Sequence, residues 1–211
     1  ESYRPQAHLV FPQMSSRDLL VYLAEELGAP AVGHSPEEGP PRYTIEECVR
    51  RLETLLEQNA RQSRHAVVVI DEAHLLEDCG ALETLRLLLN FEFSGRPTLT
   101  LVLLGQMNLV SAVGRLPSLD ERIAVKSLLR SFTAEETIDY VRHRLRAAGA
   151  TRDIFTPDAL EALHYLGHGI ARQINRLGDL ALVVGFAESL PRLTADEIEA
   201  VSQELVAVAA G

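Results

Sequence analysis

The chain has 211 residues, a length that fits one large domain or one domain with a small appendage. Its apolar content of 46% and a mean hydropathy near zero indicate a globular protein, and no apolar run approaches the ~18 residues of a membrane span. The net charge of −10 argues against nonspecific nucleic-acid binding by the whole surface, although it leaves room for a local basic patch.

The first part of the chain alternates strand patterns with helix patterns. The predicted strands are runs of aliphatic and β-branched residues at 7–11, 66–71, 98–105 and 123–129. The predicted helices follow Ser15 or Ser16 to about Leu27, follow a capping box at Thr44 to Glu47, and cover 82–89 and 109–113. A Pro- and Gly-rich stretch at 28–41 is predicted to be a loop. This alternation predicts a parallel α/β sheet in which 66–71 and 98–105 are buried strands.

After residue 132 only helix patterns remain. A capping box at Thr133 to Glu136 starts a helix to about Ala148, and Thr156 precedes a proline at the first position of a helix to about Leu166. Two further helices are predicted, over 170–188 and from Thr194 onward. The sequence therefore predicts an α/β domain at 1–131 and a small all-helical domain at 132–211.

Two acids, Asp71 and Glu72, follow the apolar run 66–70. Open α/β sheets bind ligands at the carboxyl ends of their strands, so the pair indicates a Walker B segment. In such a segment the first acid holds the Mg²⁺ of a nucleoside triphosphate and the second orients or activates the attacking water. Two solvated acids at a strand end are the alternative. No G-x-x-x-x-G-K-[ST] phosphate loop occurs in these residues, so the sequence carries half of an ATP site.

Six segments, in order, resemble the AAA+ ATPases of the general secretion pathway protein A (ExeA) type, which are related to the ATPase subunits of some transposition systems. The segments are VVVIDEAHLL (67–76), LETLRLLLNFE (82–92), LVLLGQMNL (101–109), LDERI (119–123), TAEETIDYVRHRLRAAGA (133–150) and GHGIARQINRLGDLAL (167–182). The resemblance implies a P-loop NTPase-like parallel sheet followed by a helical lid. It also places the start of this chain just after the P-loop, so the first strand and Walker A are expected to be absent, and this chain is expected to bind ATP weakly or not at all.

The resemblance assigns roles in catalysis to three residues. Asp71 coordinates Mg²⁺ and Glu72 polarises the attacking water. Gln106, after the strand 98–105, is the sensor 1 residue beside the γ-phosphate, with a simple loop glutamine as the alternative and Asn108 as a neighbouring candidate. The letters D-E-A-H at 71–74 also match DEAH-box helicases, but no second arginine-rich motif accompanies them. His74 is expected at a helix start or on the surface.

Three further residues are assigned by the same resemblance. Arg122 is the arginine finger that reaches the γ-phosphate of a neighbouring subunit, unless it pairs locally with Asp120 or Glu121; Arg115 is the reserve. Arg172 is the sensor 2 residue of the lid and contacts the nucleotide, with Arg176 one turn further along. Ala171 stands where the family usually has proline. Asn90 matches a polar position near the nucleotide, and a helix C-cap explains it equally well.

The function implied is an ATP- and Mg²⁺-dependent ATPase that assists the assembly of a secretion or pilus envelope complex. Its partners are other copies of itself, reached through Arg122, and proteins of the secretion or pilus machinery. The alternatives are a DNA-transposition type of regulator, supported only by a basic cluster (Arg142, His143, Arg144 and Arg146), and a noncatalytic module with the same fold. The two isolated cysteines and the lack of a signal-peptide pattern indicate a cytoplasmic protein. The envelope role that the resemblance implies would make it the cytoplasmic domain of a membrane-anchored protein.

Overall fold

A computed structural model of the chain describes residues 5–30 and 43–209. The chain divides into two compact units, Glu1–Lys126 and Ser127–Gly211, here called the α/β unit and the helical unit. Most of the loop predicted at 28–41 lies outside the described residues. None of the described helices is both long and apolar enough to cross a membrane.

The α/β unit is built around three parallel strands in the order β1-β2-β5. The strands of this unit are β1 (Gln6–Leu9), β2 (Ala66–Ile70), β3 (Glu92–Phe93), β4 (Arg96–Pro97) and β5 (Leu99–Leu103). Its helices are α1 (Ser16–Glu26), α2 (Ile45–Arg61), a 3₁₀ helix (Ala73–Cys79), α3 (Ala81–Leu88), α4 (Asn108–Gly114) and α5 (Pro117–Asp120). The predicted caps of α1 and α2 are confirmed: Ser15 accepts a hydrogen bond from the Asp18 N–H, and Thr44 and Glu47 form a capping box.

The central strand β2 pairs with β5 along its whole length and with β1 from Val67 to Ile70. Val68 lies opposite Ala7 of β1 and Leu101 of β5, so the three strands run in one parallel register. Alternate residues of β2 are fully buried and share one hydrophobic core with α1, α2 and α3. The pairing brings the carboxyl ends of all three strands to the same edge of the sheet.

The prediction that 98–105 is a fully buried strand is wrong for β5. Thr100 and Val102 are exposed, while Leu99 belongs to the core. A strand is buried on all sides only when both faces are covered and both edges are paired. In the part of the chain that the structure describes, no strand pairs with the second edge of β5, so β5 is an edge strand.

The prediction of a last strand at 123–129 is also wrong. These residues adopt no regular structure, and the side chains of Val125 and Leu129 are 80% and 94% exposed. An apolar run forms a strand only where another strand supplies hydrogen-bonding partners. None of the described strands lies alongside this segment, so the pattern alone could not form one.

A short hairpin between α3 and β5 was missed by the sequence patterns. β3 and β4 pair as Glu92 opposite Pro97 and Phe93 opposite Arg96, around Ser94 and Gly95, which have φ of 53° and 72°. Two successive positive φ angles are typical of the tight turns that join antiparallel strands. The hairpin and the turn before β2 line a cavity of about 300 Å³ at the amino-terminal edge of the sheet, away from Asp71.

The helical unit contains four described helices around a separate core. They are α6 (Ala134–Ala147), α7 (Pro157–Leu166), α8 (Ala171–Ala187) and α9 (Ala195–Ala209). Each helix begins within a residue or two of its predicted start, and the capping box at Thr133 and Glu136 is confirmed. Leu163, Ile174 and Ile198 are fully buried where α7, α8 and α9 meet.

We expect Glu136→Gln to weaken the helical unit in a pH-dependent way. Two hydrogen bonds from Arg130, helped by the Thr133 N–H, lower the pKa of Glu136 from an ordinary 4.5 to about 2. A carboxyl with a lowered pKa stabilises the folded state above its ordinary pKa, and that stabilisation is lost as the pH falls toward 2. Urea unfolding at pH 6 should show E136Q to be less stable than the native chain.

The difference between E136Q and the native chain should shrink as unfolding is repeated at pH values from 4.5 down to 2. Glu135→Gln, in the same helical turn, is the matched control for the general effect of removing an acid there. A difference for E136Q that stays constant over this range would contradict the ion pair.

Candidate active site

The candidate active site is built on the backbone that follows β2. The Asp71 N–H donates to the carbonyl of Leu9 at 2.8 Å, which extends the β1–β2 pairing to the first acid. Asp71 Oδ1 in turn accepts a hydrogen bond of 2.9 Å from the Glu72 N–H. The Asp71 carboxylate is therefore held at the end of the sheet in a fixed orientation, half-buried, at the place where ligands bind to open α/β sheets.

Glu72 has a left-handed backbone conformation, with φ of 49° and ψ of 34°. A non-glycine residue pays a steric cost there, and such residues are frequent at functional sites. This conformation turns the chain away from the direction of β2, and the Glu72 side chain is 48% exposed. About half of the Glu72 side chain is thus accessible to solvent.

The segment after β5 is tied to the segment after β2. The Ala73 N–H donates to the carbonyl of Leu104 at 2.7 Å, and the Gln106 N–H donates to His74 Nδ1 at 3.4 Å. The Gln106 carbonyl accepts from the Leu109 N–H and so joins the first turn of α4. The structure therefore brings Gln106 to the same edge as Asp71 and Glu72, with its side chain exposed.

His74 is the second residue of the 3₁₀ helix, which is one of the two places expected for it, and it is not on the surface. Its side chain is only 8% exposed, and its Nδ1 lies 3.4 Å from Glu72 Oε2 as well as 3.4 Å from the Gln106 nitrogen. No sequence pattern pointed to this bridge. The sequence feature that could have pointed to this contact is the position of His74, two residues beyond the predicted Walker B acids.

Asn90 and Arg122 form a second cluster, after the end of α3. The Arg122 guanidinium donates to Asn90 Oδ1 at 2.6 Å and to the Leu89 carbonyl at 3.1 Å. Arg122 does not pair with Asp120, which instead forms an ion pair with Lys126. The Asn90 side chain therefore holds Arg122 and is not a helix cap.

Arg172 belongs to the helical unit, whereas the residues of both clusters belong to the α/β unit. It is the second residue of α8, and both Arg172 and Arg176 are exposed. Of the six residues predicted for the site, the structure groups Asp71, Glu72 and Gln106 at one edge and Asn90 with Arg122 beside α3. Their roles stay predictions.

No cluster of three or more His, Cys, Asp or Glu side chains suited to a metal ion occurs in the residues described. A magnesium–nucleotide site does not need one, because Mg²⁺ is usually held by one or two carboxylates together with the phosphates of the substrate. The oriented carboxylate of Asp71 fits that requirement.

A protein-family model described as an AAA domain matches residues 7–113, just over half of the chain. The chain belongs to the AAA domain family. The matched segment contains Asp71, Glu72, Asn90 and Gln106, and it ends before Arg122 and the helical unit.

The comparison with curated proteins supports the same assignment. General secretion pathway protein A of Aeromonas hydrophila is 33% identical over 206 residues, which cover 94% of this chain and 35% of that protein. This similarity confirms the resemblance found in the sequence. The chain spans about a third of the length of this relative.

Two solved structures share the fold. The Aeropyrum pernix ORC2 protein in its ADP form has a TM-score of 0.68 at 18% identity, covering 94% of this chain and 52% of that chain. The Thermotoga maritima RuvB Holliday junction branch migration motor has a TM-score of 0.52 at 17% identity, covering 97% and 63%. At such identities the likeness shows the fold alone, and it confirms the predicted parallel α/β architecture of AAA+ type.

We expect Glu72→Gly to leave the free energy of unfolding unchanged or to raise it by up to about 1 kcal/mol, because glycine adopts a positive φ without the steric cost. Glu53→Gly is the matched control: it removes an exposed glutamate from the interior of α2, where glycine costs about 1 kcal/mol. Urea unfolding of both variants measures the difference. Equal destabilisation by the two substitutions would contradict strain at Glu72.

Proposed function

We propose that the chain is part of the ATP-hydrolysing module of its protein and supplies the Walker B half of the ATP site. The observation that carries the proposal is that the segments after β2 and β5, which hold Asp71, Glu72 and Gln106, are tied to each other. The ties are the Ala73–Leu104 backbone hydrogen bond and the bond from the Gln106 N–H to the His74 ring. An acid pair and a polar residue at this edge match the requirements of phosphoryl transfer to water, which is positioning and electrostatic stabilisation.

Each residue has a distinct task in this proposal. Asp71 would hold Mg²⁺, which supplies charge neutralisation at the phosphates when it is bound. Glu72 accepts a proton from water or orients the water, and its exposure leaves it accessible. The amide side chain of Gln106 can hydrogen-bond both water and a phosphate oxygen.

The arginines extend the proposal beyond a single α/β unit. We assign Arg122 to the phosphates of a neighbouring copy of this chain, because a guanidinium suits a spread phosphate charge. Asn90, which accepts a hydrogen bond from Arg122, keeps the nucleotide-binding role that the resemblance assigns to it. Arg172 is assigned to the sensor 2 role of the helical unit, taken as a lid over 132–211.

We further propose that the whole protein assists the assembly of a secretion or pilus envelope complex. The support is the similarity to General secretion pathway protein A, of which this chain spans 35%. A transposition-type role would rest on the basic cluster of α6. In that cluster Arg144 is engaged with the hydroxyl of Tyr140 at 3.3 Å, so no observation favours it over the secretion role.

In the full-length protein, we expect Glu72→Gln to lower the rate of ATP hydrolysis by about 10²- to 10⁴-fold, the range for loss of a general base. Binding of ATP should be retained, because glutamine keeps the size of the side chain. Phosphate release and titration with a fluorescent ATP analogue measure the two quantities. Glu25→Gln, an exposed acid of α1, is the control for loss of one negative charge. An E72Q protein with native hydrolysis would contradict the assignment.

Mixing two inactive variants tests whether Arg122 acts on a neighbouring subunit. In a head-to-tail assembly mixed at random, E72Q and R122A together should recover about a quarter of the native rate, since one interface in four keeps both groups. Each variant alone supplies the baseline. A mixture no faster than that baseline would show that Arg122 acts within its own subunit or not at all.

A further inference from the structure

His74 has no role in the proposed reaction, yet its imidazole lies between two groups that do. Nδ1 is 3.4 Å from the Gln106 backbone nitrogen and 3.4 Å from Glu72 Oε2, and the side chain is 8% exposed. The ring thus stands at the junction of the segments that follow β2 and β5.

One ring nitrogen cannot serve both neighbours. In a neutral imidazole, a nitrogen either carries a hydrogen and donates or carries a lone pair and accepts. With the lone pair on Nδ1, the ring accepts the Gln106 N–H and offers no hydrogen to Glu72. With a hydrogen on Nδ1, the ring donates to the Glu72 carboxylate and can no longer accept the Gln106 N–H.

The backbone around Gln106 favours the accepting form. The Gln106 N–H is aimed at Nδ1, and the residue is held from its other side by the hydrogen bond between its carbonyl and the Leu109 N–H. Gly105 allows the close approach: a Cβ at this position would lie 3.3 Å from His74 Nδ1, 3.3 Å from the His74 nitrogen and 3.0 Å from Leu109 Cδ2. The Gly105 backbone therefore lies against the His74 ring, and a larger residue at position 105 would disturb this contact.

We propose that His74 is a positioning residue that holds the Gln106 backbone against the 3₁₀ helix that begins after Glu72. Its Nδ1 carries the lone pair and accepts the Gln106 backbone N–H, and the ring hydrogen is on Nε2. The ring then makes no hydrogen bond to the Glu72 carboxylate, which is left available to water. The inference rests on the proposed function for its catalytic consequence, but the tautomer and the hydrogen bond stand independently of ATP hydrolysis.

The first experiment needs no activity. Nitrogen-15 NMR of the 211-residue chain distinguishes the two imidazole tautomers. The expected result is a bare Nδ1 and a protonated Nε2 for His74, together with slow exchange of the Gln106 amide proton. A hydrogen on Nδ1 of the neutral ring would overturn the proposal.

The second experiment compares three variants in the protein as the cell makes it. His74→Asn can place an amide oxygen near the position of Nδ1, so it should keep the slow Gln106 exchange and most of kcat. His74→Leu removes the acceptor and should speed that exchange and lower kcat by on the order of tenfold to a hundredfold with little change in KM for ATP. His65→Leu, at the opposite end of β2, is the control.

The outcomes separate this inference from the proposed function. If the native protein hydrolyses no ATP, the proposed function fails, whereas the tautomer and the amide exchange still decide the role of His74. Equal kcat in H74N and H74L, in a protein that does hydrolyse ATP, would overturn the positioning role. Equal loss of folded structure in both variants is excluded beforehand by comparing their unfolding transitions.

Discussion

The pairing of β2 with a strand on each side is the constraint on which the candidate site depends. Parallel pairing fixes the register of all three strands, so their carboxyl ends lie at one edge whatever the connecting helices do. The hydrogen bonds from Asp71 to Leu9 and from Ala73 to Leu104 continue this pairing by one step on each side. The candidate site lies where the backbone pairing of the strands ends and side-chain hydrogen bonds begin.

The outer edge of β5 differs from the paired strands because its backbone groups have no strand partner among the described residues. β5 is paired on one side only among the described residues, and the exposed apolar side chains of the α/β unit include Val102, Leu104 and Val125. An unpaired edge offers its N–H and C=O groups to any extended chain that reaches it. This edge adjoins the Gln106 loop, so a strand added there would pass beside the candidate site.

Local signals predicted a large part of this fold. The capping boxes at Thr44 and Thr133 and the β-branched run of β2 specify their elements through neighbours in sequence, and these elements formed as expected. The segment 123–129 and the burial of β5 were mispredicted because both depend on partners that a pattern of residue types does not reveal. Apolar periodicity indicates which side chains a strand could bury, but a strand forms only where another strand supplies hydrogen-bonding partners.

The candidate site shows the same division. Asp71, Glu72 and Gln106 could be found because each follows a strand with a recognisable pattern. The contact between Asn90 and Arg122 and the bridge through His74 join residues 32 positions apart in each case, through side-chain geometry that no motif encodes. Such contacts become visible only after the helices and strands are placed.

The hold of Asn90 and Leu89 on Arg122 has a consequence for assembly. A long side chain that is already ordered gives up little additional rotamer freedom when it changes partner. Where Arg122 serves a neighbouring subunit, the phosphates therefore compete with two existing hydrogen bonds rather than with a freely moving side chain. An exchange of this kind would make the proposed contact between subunits easy to reverse.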